Sequence, residues 1–482
     1  MSYSKHIALV LFVTLCDSPA QPSAPFQPVV NFKILPAKPS PPPKPVFDVR
    51  TYGAKGDGSN YDTAAIQKTI DACAGSGGSV YLSGGRFLSA QLTLKGGMTL
   101  YIEKDATLLG GIKPEDYPIL VPNPANSRLA GVIRRSLLYA NLADNLTLDG
   151  GGTIDGQGAA VRMNGAEPER PSLIRIFKSN NVTVRNLSIR NPRMWTQVYM
   201  ECNRLLLDSL DVSAPPVCAN LDGMDICDCH DVIIRNCRIF AEDDGICLKS
   251  SSITGLKNIS ITHNIVHCYH ANGIKIGTGT RGPIEDIRII DNIVTFAKYA
   301  GLCLESVDGS VMSNVKVSGL EIYRTAQPFF IRVSNRGATH DAGKDGRPPV
   351  GSISNVTIEN VRVLGGHGMT APGSTITSSE SGSIKNVVFK NVSIQMLGGV
   401  AQPPRLSKVD PHGYPQSNIF GNPPGYGFFV QNAKDVSFED LTIGFLKSDV
   451  RPWLASDRAQ VKITRCKDLK TVQAVAIPDW AK

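Results

Sequence analysis

Short runs of alternating apolar and polar residues recur along most of the chain. From Asn181 to Ile189, a polar residue is followed by two apolar-x-apolar triplets separated by two polar residues, and Asp231 to Ile239 repeats this order. The pattern starts again, mostly after about 28 residues, at Asn258, Asp286, Asn314, Asn355, Asn386 and Asp435. Period-two alternation is typical of strands that bury one face, and repetition at this length is typical of a solenoid. We therefore predict an all-β chain folded as a right-handed parallel β-helix with three short strands per coil.

One segment near the start has helical periodicity instead. Apolar residues at positions 65, 66, 69, 70 and 73 form a single stripe across the run from Asp62 to Cys73, which is the spacing of one helix face. We predict a short N-terminal helix that caps the open end of the array. The spacing of Leu and Asn in the repeats does not match that of leucine-rich repeats, which are excluded on this ground.

The first 45 residues have a different composition. Residues 1–20 contain Lys5, an apolar run from Ile7 to Leu15 and the small-residue exit Ser18-Pro19-Ala20. The run is too short to span a bilayer, so we predict a signal peptide, a secreted or periplasmic protein and no stable membrane insertion. Residues 21–45 are rich in proline and are predicted to form an extended linker. Residues 46–482 are predicted to be a single β-helix domain.

The charge and the cysteine content limit the partners and metal sites that the chain is expected to have. The formal net charge is +8 over 482 residues, and the Lys and Arg residues are scattered without clustered aromatic residues, so no nucleic-acid partner is expected. Eleven cysteines are present, without Cys-x-x-Cys spacing or Cys/His ligand groups. We interpret most of them as small apolar fillers of a narrow core. A disulfide within the central group (Cys218, Cys227, Cys229, Cys237, Cys247 and Cys268) remains open.

Three aspartates stand at the start of short apolar strands. Asp222 lies in Asn220-Leu221-Asp222-Gly223, and Asp243-Asp244 follow one repeat unit later. Adjacent strands lie roughly 4.8 Å apart, so these carboxyl groups should be neighbours whose pKa values are split into protonated and ionised members. The alternative is that each Asp caps a turn beside a glycine. Because three acids meet on two coils, we favour a functional site.

These residues also carry a family resemblance. Asn-x-Asp at 220–222, followed by Asp-Asp-x-Ile-x-Leu-Lys at 243–249, resembles the motifs of the polygalacturonase family of glycoside hydrolases, family 28, within the pectinase β-helix superfamily. The segment from Val46 to Gly58 resembles the opening strand and glycine turn of the same β-helices. The resemblance implies a pectin-lyase-like solenoid that cuts pectin-type polysaccharides with inversion. It implies that Asp243 protonates the leaving oxygen while Asp222 and Asp244 activate water, without a metal or other cofactor.

Two later motifs depart from the family. Where the family has Gly-His-Gly, this chain has Ala271-Asn272-Gly273, and where it has Arg-Ile-Lys, this chain has Cys303-Leu304-Glu305. The family's His, which helps to hold the protonation of the acid, and its Arg and Lys, which bind the sugar carboxylate, therefore have no counterparts at these positions. Asn272 can still form hydrogen bonds. His267 and His270 are nearby and are interpreted as packed or surface residues.

Alternation predicts which side chains line the site. Aligning the strands places Ile246, Leu248, Ile274, Ile276, Leu302, Leu304, Ile331 and Val333 inside, and Cys247, Lys249, Lys275, Cys303, Glu305 and Arg332 outside. We predict catalytic roles for Asp222, Asp243 and Asp244. We predict substrate-binding roles for Asn220, Lys249, Asn272, Lys275, Glu305 and Arg332. Trp195 either borders the same groove or caps the core, and the loop that carries Tyr414, Phe420 and Tyr426 either shapes the groove or is passive surface.

The predicted function is therefore a glycoside hydrolase that acts, as a monomer, on a pectic polysaccharide or oligosaccharide such as polygalacturonan or rhamnogalacturonan. The charge of Glu305 should repel a uronate carboxylate and favour a neutral or differently linked sugar beside it. Two alternatives stay open. One is a polysaccharide lyase that uses calcium and Lys249, Lys275 or Arg332 as base, and the other is a β-helix that binds carbohydrate without turnover.

Overall fold

The computed structural model describes residues 39–120, 133–158, 169–336, 349–365, 372–405 and 409–479. The predicted signal peptide and most of the predicted linker lie outside the described residues. Residues 39–45 are attached to the folded unit, because the N–H of Ser79 donates to the carbonyl of Pro45 at 2.8 Å and its hydroxyl to that of Pro43 at 2.8 Å. Within the described ranges, none of the helices has the length and apolar character needed to cross a membrane.

The described chain is almost entirely β structure and contains one α-helix, α1 (Thr63–Cys73). Short 3-10 helices cover Val49–Tyr52, Pro114–Asp116 and Ser417–Phe420. The strands in the described part are β1 (Val46–Asp48), β2 (Asp57–Tyr61), β3 (Ser79–Leu82), β4 (Gly85–Ser89), β5 (Leu92–Thr93), β6 (Met98–Ile102), β7 (Ala106–Gly110), β8 (Ser136–Asn141), β9 (Leu146–Asp149), β10 (Thr153–Asp155), β11 (Ser172–Phe177), β12 (Asn180–Arg185), β13 (Ser188–Arg190), β14 (Gln197–Met200), β15 (Asn203–Asp208), β16 (Asp211–Ser213), β17 (Met224–Cys227), β18 (His230–Arg235), β19 (Arg238–Ala241), β20 (Ile246–Ser250), β21 (Leu256–Thr262), β22 (Ile265–Cys268), β23 (Ile274–Thr280), β24 (Ile284–Ser306), β25 (Val311–Tyr323), β26 (Thr325–Val333), β27 (Ser352–Leu364), β28 (Ser374–Ser378), β29 (Ile384–Gly398), β30 (Phe428–Gln431), β31 (Ala433–Lys447), β32 (Leu454–Asp457), β33 (Val461–Thr464) and β34 (Lys467–Thr471).

Each strand pairs in parallel with the strand one coil later. Strand β14 pairs with β17, β15 with β18, and β16 with β19, so three strands make one coil. From β24 onward, several strands are long enough to continue around a corner of the coil, so that different parts of one strand belong to different sheets. Strand β24, for example, pairs with β21, β22 and β23 along its length. The predicted parallel β-helix is therefore confirmed.

Stacking of like residues fills the interior. One inward column runs through β18, β21, the first part of β24, β25, β27, β29 and β31 as Val232, Ile259, Ile287, Val315, Val356, Val387 and Val436, and all of these residues are buried. β-Branched side chains suit such a half-buried pleated surface. The period-two pattern of the sequence is thus the inward face of the coil.

The polar residue that opens each repeat turns a corner of the helix. Asn181, Asp231, Asn258, Asp286, Asn314, Asn355, Asn386 and Asp435 all have left-handed φ values between 51° and 59°, which Asn and Asp tolerate better than other non-glycine residues. Their side chains also bond between coils: the Asn258 amide donates to Asp231 at 2.6 Å, and the Asn386 amide donates to Asn355 at 2.8 Å. We call this column the corner ladder.

The predicted capping helix is also confirmed. Helix α1 buries Ile66, Thr69, Ile70 and Cys73 and packs on the first coil against β1, β3 and β5. The ten described cysteines are free, and eight of them are buried, in agreement with their interpretation as fillers. Cys229 and Cys237 lie in the main core, whereas Cys227 packs in a separate apolar cluster with Trp195 and Met200.

The corner ladder generates a stability prediction. Asn355 has φ 55°, a region in which a β-branched side chain is strained but glycine is not. Asn355→Val should therefore lower the free energy of unfolding by about 1–2 kcal/mol more than Asn355→Gly, although both variants lose the same interstrand hydrogen bonds. Urea unfolding measures this difference. Equal losses in the two variants would contradict the backbone explanation.

Candidate active site

The sheet formed by β11, β14, β17, β20, β23, the last part of β24 and β26, which we call the site sheet, carries most of the predicted residues. Its register pairs Ile246 with Ile274 and then Leu302, and pairs Leu248 with Ile276 and then Leu304. All eight residues predicted to point inward are buried in the main core. The outward rows therefore contain Cys247, Lys275 and Cys303 in register, and Glu305 beside Arg332.

Asp222, Asp243 and Asp244, which we call the acid cluster, lie where the chain enters this sheet. Asp222 precedes β17, and Asp243 and Asp244 precede β20. One carboxylate oxygen from each lies within 4.8 Å of the other two. The N–H of Gly223 donates to the carbonyl of Asp244 at 2.9 Å, and a Cβ at Gly245 would come within 2.6 Å of the carbonyl oxygen of Gly273. Glycine at this corner therefore permits the close approach of the coils.

Asp244 is held in its ionised form. Its carboxylate accepts from Lys275 Nζ at 3.0 Å and from the side-chain amide of Asn272 at 2.8 Å. Although burial by itself would raise the pKa of the Asp244 carboxyl, the Lys275 and Lys249 ammonium groups hold it below its usual value. Asn272 is oriented in turn by the N–H of Ala300, which donates to its side-chain oxygen at 3.1 Å. Asn272 and Lys275 thus support the carboxylate in this structure.

The pKa values of the other two acids of the cluster are raised instead. Burial, followed by the negative charge of Asp225, raises the pKa of Asp222 well above its usual value. Burial and the neighbouring Asp244 raise the pKa of Asp243. Asp222 is 3% exposed and its Oδ1 has no hydrogen-bond partner, whereas Asp243 is partly exposed. The cluster therefore combines one acid whose pKa is lowered with two whose pKa values are raised.

Asp225 is a fourth acid that the sequence analysis did not select. It lies on β17 opposite Cys247 and is fully buried, and neither of its oxygens has a hydrogen-bond partner. Burial raises the pKa of Asp225 to about 7, against the opposing effect of Lys249, whose Nζ is 3.4 Å away. Extending the outward row by one strand, from Cys247 to Asp225, would have identified it.

Lys249 is already engaged by the protein. Its ammonium lies 2.9 Å from Cys247 Sγ and 4.6 Å from the centre of the Trp195 ring. Trp195 is 8% exposed and covers the cation. The structure thus places Trp195 beside the predicted site. Lys249 lies between Trp195 and the acids and contributes positive charge to the acid cluster.

Asn220, the first residue of the motif, lies beside a second missed residue. Arg170 Nη2 donates to Asn220 Oδ1 at 3.5 Å, and Arg170 Nη1 donates to the carbonyl of Ala219 at 2.7 Å. Asn220 itself adopts φ 61°. The Arg170 guanidinium therefore holds the turn that precedes Asp222. No sequence pattern between residues 170 and 219 predicts this contact.

Glu305 and Arg332 lie at the far side of the cluster. Glu305 is 1% exposed with Oε2 unpartnered, and burial raises its pKa to about 7 against the effect of Lys275. Arg332 donates to Thr377 Oγ1 at 3.2 Å and stacks over Phe420 at 5.5 Å. Among the described residues no ion pair joins Glu305 to Arg332.

A glycine makes room for Glu305. Gly277 has φ 125°, and a Cβ there would lie 2.7 Å from Glu305 Oε2. The loop around Tyr414 approaches from outside: Lys275 Nζ lies 5.8 Å from the Tyr414 ring centre, and that tyrosine is 51% exposed. This aromatic residue is therefore available at the border of the site.

Of the two histidines near the cluster, His267 is packed and His270 lies on the surface. His267 stacks between Phe240 and Phe296, with ring centres 4.8 Å and 5.3 Å away. Burial, and secondarily Arg324, lowers the pKa of His267 to about 4, so this ring is neutral near pH 7. His270 lies 4.0 Å from Glu242 on the outer edge.

Two sets of side chains have the spacing of a cation site. They are Asp222, Asp225 and Cys247, and the acid cluster itself; within each set the ligand atoms lie within 4.8 Å of one another. Lys249 and Lys275 already lie against these acids, at 3.4 Å from Asp225 and 3.0 Å from Asp244. A divalent cation would have to displace or oppose both ammonium groups, so the arrangement favours proton chemistry.

The family profile for Glycosyl hydrolases family 28 matches residues 128–337, which include the whole acid cluster. The profile named Rhamnogalacturonase A/epimerase, pectate lyase-like matches residues 46–110. The resemblance to polygalacturonases of glycosyl hydrolase family 28, which the motifs predicted, is thus confirmed over the part of the chain that carries the acid cluster.

Individual relatives agree with this family. A probable polygalacturonase of Vitis vinifera is 26% identical over 311 residues, which cover 60% of this chain and 63% of the relative. An endo-polygalacturonase of Pectobacterium carotovorum subsp. carotovorum is 28% identical over 294 residues, covering 57% and 72%. The chain thus spans less than two thirds of the Vitis protein. The family 28 exopolygalacturonase of Yersinia enterocolitica shares the fold, with a TM-score of 0.66 at 19% identity over 92% of this chain and 79% of that one.

The buried Glu305 generates a prediction about stability and pH. Below pH 4.5, its usual pKa, the carboxyl is protonated in both the folded and the unfolded chain; between 4.5 and about 7 only the unfolded chain ionises. This difference destabilises the fold progressively as the pH rises. Glu305→Gln should therefore be more stable than the wild type by on the order of 2–3 kcal/mol above pH 7 and equal to it near pH 4.

Urea unfolding at pH 4, 6 and 8 measures this gain. Glu285→Gln is the matched control, because the Glu285 side chain is 43% exposed and should show no comparable growth of stability with pH. A gain for Glu305→Gln that does not depend on pH would show that burial of the charge is not its cause.

Proposed function

We propose that this protein hydrolyses glycosidic bonds in a pectin-type polysaccharide by single displacement with inversion of the anomeric centre. The observation that carries the proposal is the unequal protonation within the acid cluster. Lys275 and Lys249 hold the pKa of Asp244 below its usual value, whereas burial and Asp244 raise that of Asp243. The cluster thus offers a carboxyl group with a raised pKa and one with a lowered pKa, as a general acid and a base require.

The roles follow from exposure and charge. Asp243 is the partly exposed member of the cluster and retains a proton, so it donates to the leaving glycosidic oxygen. Asp244, ionised and fixed by Asn272 and Lys275, accepts a proton from the attacking water. Asp222 holds the same water through its unpartnered Oδ1. Asp225 and Lys249 lie below these groups and set the local charge.

The spacing within the cluster accommodates such a water. Two O–H···O hydrogen bonds of roughly 2.5–3.0 Å each span about 5 Å, and the cluster oxygens lie within 4.8 Å of one another. This separation is shorter than the roughly 6.5–9.5 Å common in inverting glycosidases and closer to the roughly 5–5.5 Å of retaining ones. The first anomer released, followed by NMR during hydrolysis, is therefore the measurement that decides the stereochemistry; a retained anomer would reject single displacement.

The lyase alternative requires a basic side chain that loses its proton easily. Despite burial, the neighbouring Cys247, Asp225 and Asp222 raise the pKa of Lys249, and Asp244 raises that of Lys275, in both cases well above the usual value. Both ammonium groups are therefore poor proton acceptors. Burial lowers the pKa of Arg332 to about 10, which still leaves its guanidinium protonated near neutral pH. Hydrolysis is favoured over β-elimination on this ground.

We also propose that the chain is exported, which is consistent with a pectic polysaccharide as its substrate.

Substrate choice depends on Glu305 in this proposal. Its carboxyl points to the groove side of the site sheet, where the family has a lysine. A sugar without a carboxylate fits there better, so we propose decorated or rhamnose-containing pectin as the preferred substrate. Because the pKa of Glu305 is raised to about 7 by burial, the repulsion of a uronate should be weak in mild acid and strong above neutrality.

The assignment of Asp243 as the acid is tested by Asp243→Asn. The variant should keep its fold and its substrate affinity and lose turnover by at least about 100-fold, because the amide cannot donate the required proton. Initial rates on pectic fractions, together with the thermal midpoint, measure both effects. Asp71→Asn, on the outer surface of α1, is the control and should retain activity. Near-normal turnover in Asp243→Asn would exclude this residue as the acid.

The role of Glu305 is tested by comparing two substrates at two pH values. From pH 5 to pH 8, the wild-type ratio of kcat/KM on polygalacturonate to kcat/KM on rhamnogalacturonan fragments should fall, because Glu305 ionises in this interval. The ratio cancels the pH dependence of the acid cluster itself. In Glu305→Gln the ratio should rise and become independent of pH. Efficient cleavage of unbranched polygalacturonate by the wild type, unchanged in Glu305→Gln at both pH values, would show that Glu305 does not set specificity.

A further inference from the structure

Arg175 lies on the outward face of the site sheet, on the N-terminal side of the acid cluster. It is in register with Tyr139 on β8 and with Val198 on β14, and Val198 is in register with Asp225 on β17. Arg175 and Asp225 thus belong to the same outward row and are two strands apart, a distance of roughly 10 Å. This row reaches the floor of the candidate active site.

The Arg175 guanidinium is buried without an anion. The residue is 1% exposed, and its Nε and Nη1 have no hydrogen-bond acceptor. In the part of the chain that the structure describes, no carboxylate pairs with it, and its ring neighbour is Tyr139 at 5.7 Å. A buried cation with unsatisfied donors is costly unless an anion compensates it.

Neighbouring arginines differ from Arg175 in this respect. Arg193 donates to the carbonyls of Gly156 and Gly111 at 3.1 Å and 2.6 Å, so its guanidinium has a structural role in joining loops. Arg175 makes no such contact, although it is equally buried. Its burial therefore calls for a partner that the protein itself does not supply.

Further unpartnered groups connect Arg175 to the acid cluster. The hydroxyl of Thr196 is buried and has no partner, and the N–H of Thr196 donates to the carbonyl of Asp222 at 2.9 Å. Asp222 Oδ1 also lacks a hydrogen bond, and so do the oxygens of Asp225, which has the Lys249 ammonium 3.4 Å away. Unsatisfied donors and acceptors thus continue along one face from β11 to β17. A chain of sugar rings, which has many hydroxyl groups, could satisfy them.

We propose that Arg175 binds the carboxylate of a uronic acid residue in the substrate, at a subsite two strands from the acid cluster. The inference rests on the proposed hydrolysis of a pectic chain and specifies where that chain must carry a charge. A planar guanidinium matches the two oxygens of a carboxylate, whereas a neutral sugar would leave the buried charge uncompensated.

This subsite complements the one beside Glu305. The Arg175 side of the site favours a uronate, and the Glu305 side disfavours one when Glu305 is ionised. A polymer in which uronic acids alternate with neutral sugars can satisfy both conditions, and a uniformly charged chain cannot. The two residues together define the substrate class more narrowly than either does alone.

The test compares a galacturonate tetrasaccharide with its fully methyl-esterified form, which has the same length but no charge, at pH 5, where Glu305 is protonated and does not repel a uronate. Binding is measured by calorimetry in the Asp243→Asn background to prevent turnover. The free acid should bind at least 10-fold more tightly than the ester, and adding Arg175→Gln should bring this ratio close to one. Without ligand, Arg175→Gln should leave the thermal midpoint unchanged or raise it, because a buried uncompensated charge is removed.

Arg362→Gln is the matched control, because Arg362 is also buried but pairs with Glu321 at 2.7 Å. It should lower the thermal midpoint and leave the ratio of affinities unchanged. A ratio that persists in Arg175→Gln would overturn the inference, as would a lowered midpoint with an unchanged ratio. If the wild type neither binds nor cleaves any pectic fraction, the proposed function fails and the inference with it; cleavage with an unchanged ratio rejects the inference alone.

Discussion

The structure depends on one constraint: each coil must lie in register on the coil before it. Backbone hydrogen bonds between parallel strands fix this register, and a slip by one residue would exchange the inward and outward faces. Stacking places Ile246, Ile274 and Leu302 in one inward column and Cys247, Lys275 and Cys303 in one outward row. The site is therefore assembled from residues that are far apart in sequence and adjacent only because the coils repeat.

The same stacking explains the electrostatics of the site. Charged groups on successive coils lie one strand spacing apart, where burial strengthens their mutual effects. Lys275, one coil beyond Asp244, contacts it directly, and Lys249 lies close to Asp225. Positive charges on neighbouring coils thus decide which acid ionises. In this chain Asn272 supports the carboxylate by hydrogen bonding, a task that needs no titrating group.

The fold could be predicted because its determinants are local and repeated. Three of these determinants are each visible within about ten residues: the alternation from Val182 to Val184, the polar corner at Asn181 and the helical stripe across α1. The first two recur along the chain, and no other pattern in the helical segment indicates a different structure. The in-and-out assignment of Lys275 and Glu305 followed from the same alternation. Site residues were harder where they depend on contacts between distant segments.

Asp225 and Arg175 illustrate this limit. Both lie on outward rows, so their placement was accessible from strand alignment, but neither stands in the motif that directed attention to the cluster. Their importance comes from burial and from the absence of hydrogen-bond partners, which alternation does not reveal. The burial of Glu305 could not be predicted from the sequence either. A glutamate on an outward row is expected to be a charged surface residue, whereas burial makes the charge of Glu305 depend on pH near neutrality.

The unequal spacing of the corner ladder has a consequence for how such a protein can diversify. From Asp231 onward, the intervals from Asn314 to Asn355 and from Asn386 to Asp435 are longer than the others, and the additional residues follow β26 or precede β30, on the side of the coil that carries the site. Chain length can therefore change at these corners without altering the register of the coils on either side. Insertions and deletions there would remodel the walls of the groove while the floor stays fixed, so new substrates could be reached through loop length before any residue of the acid cluster is replaced.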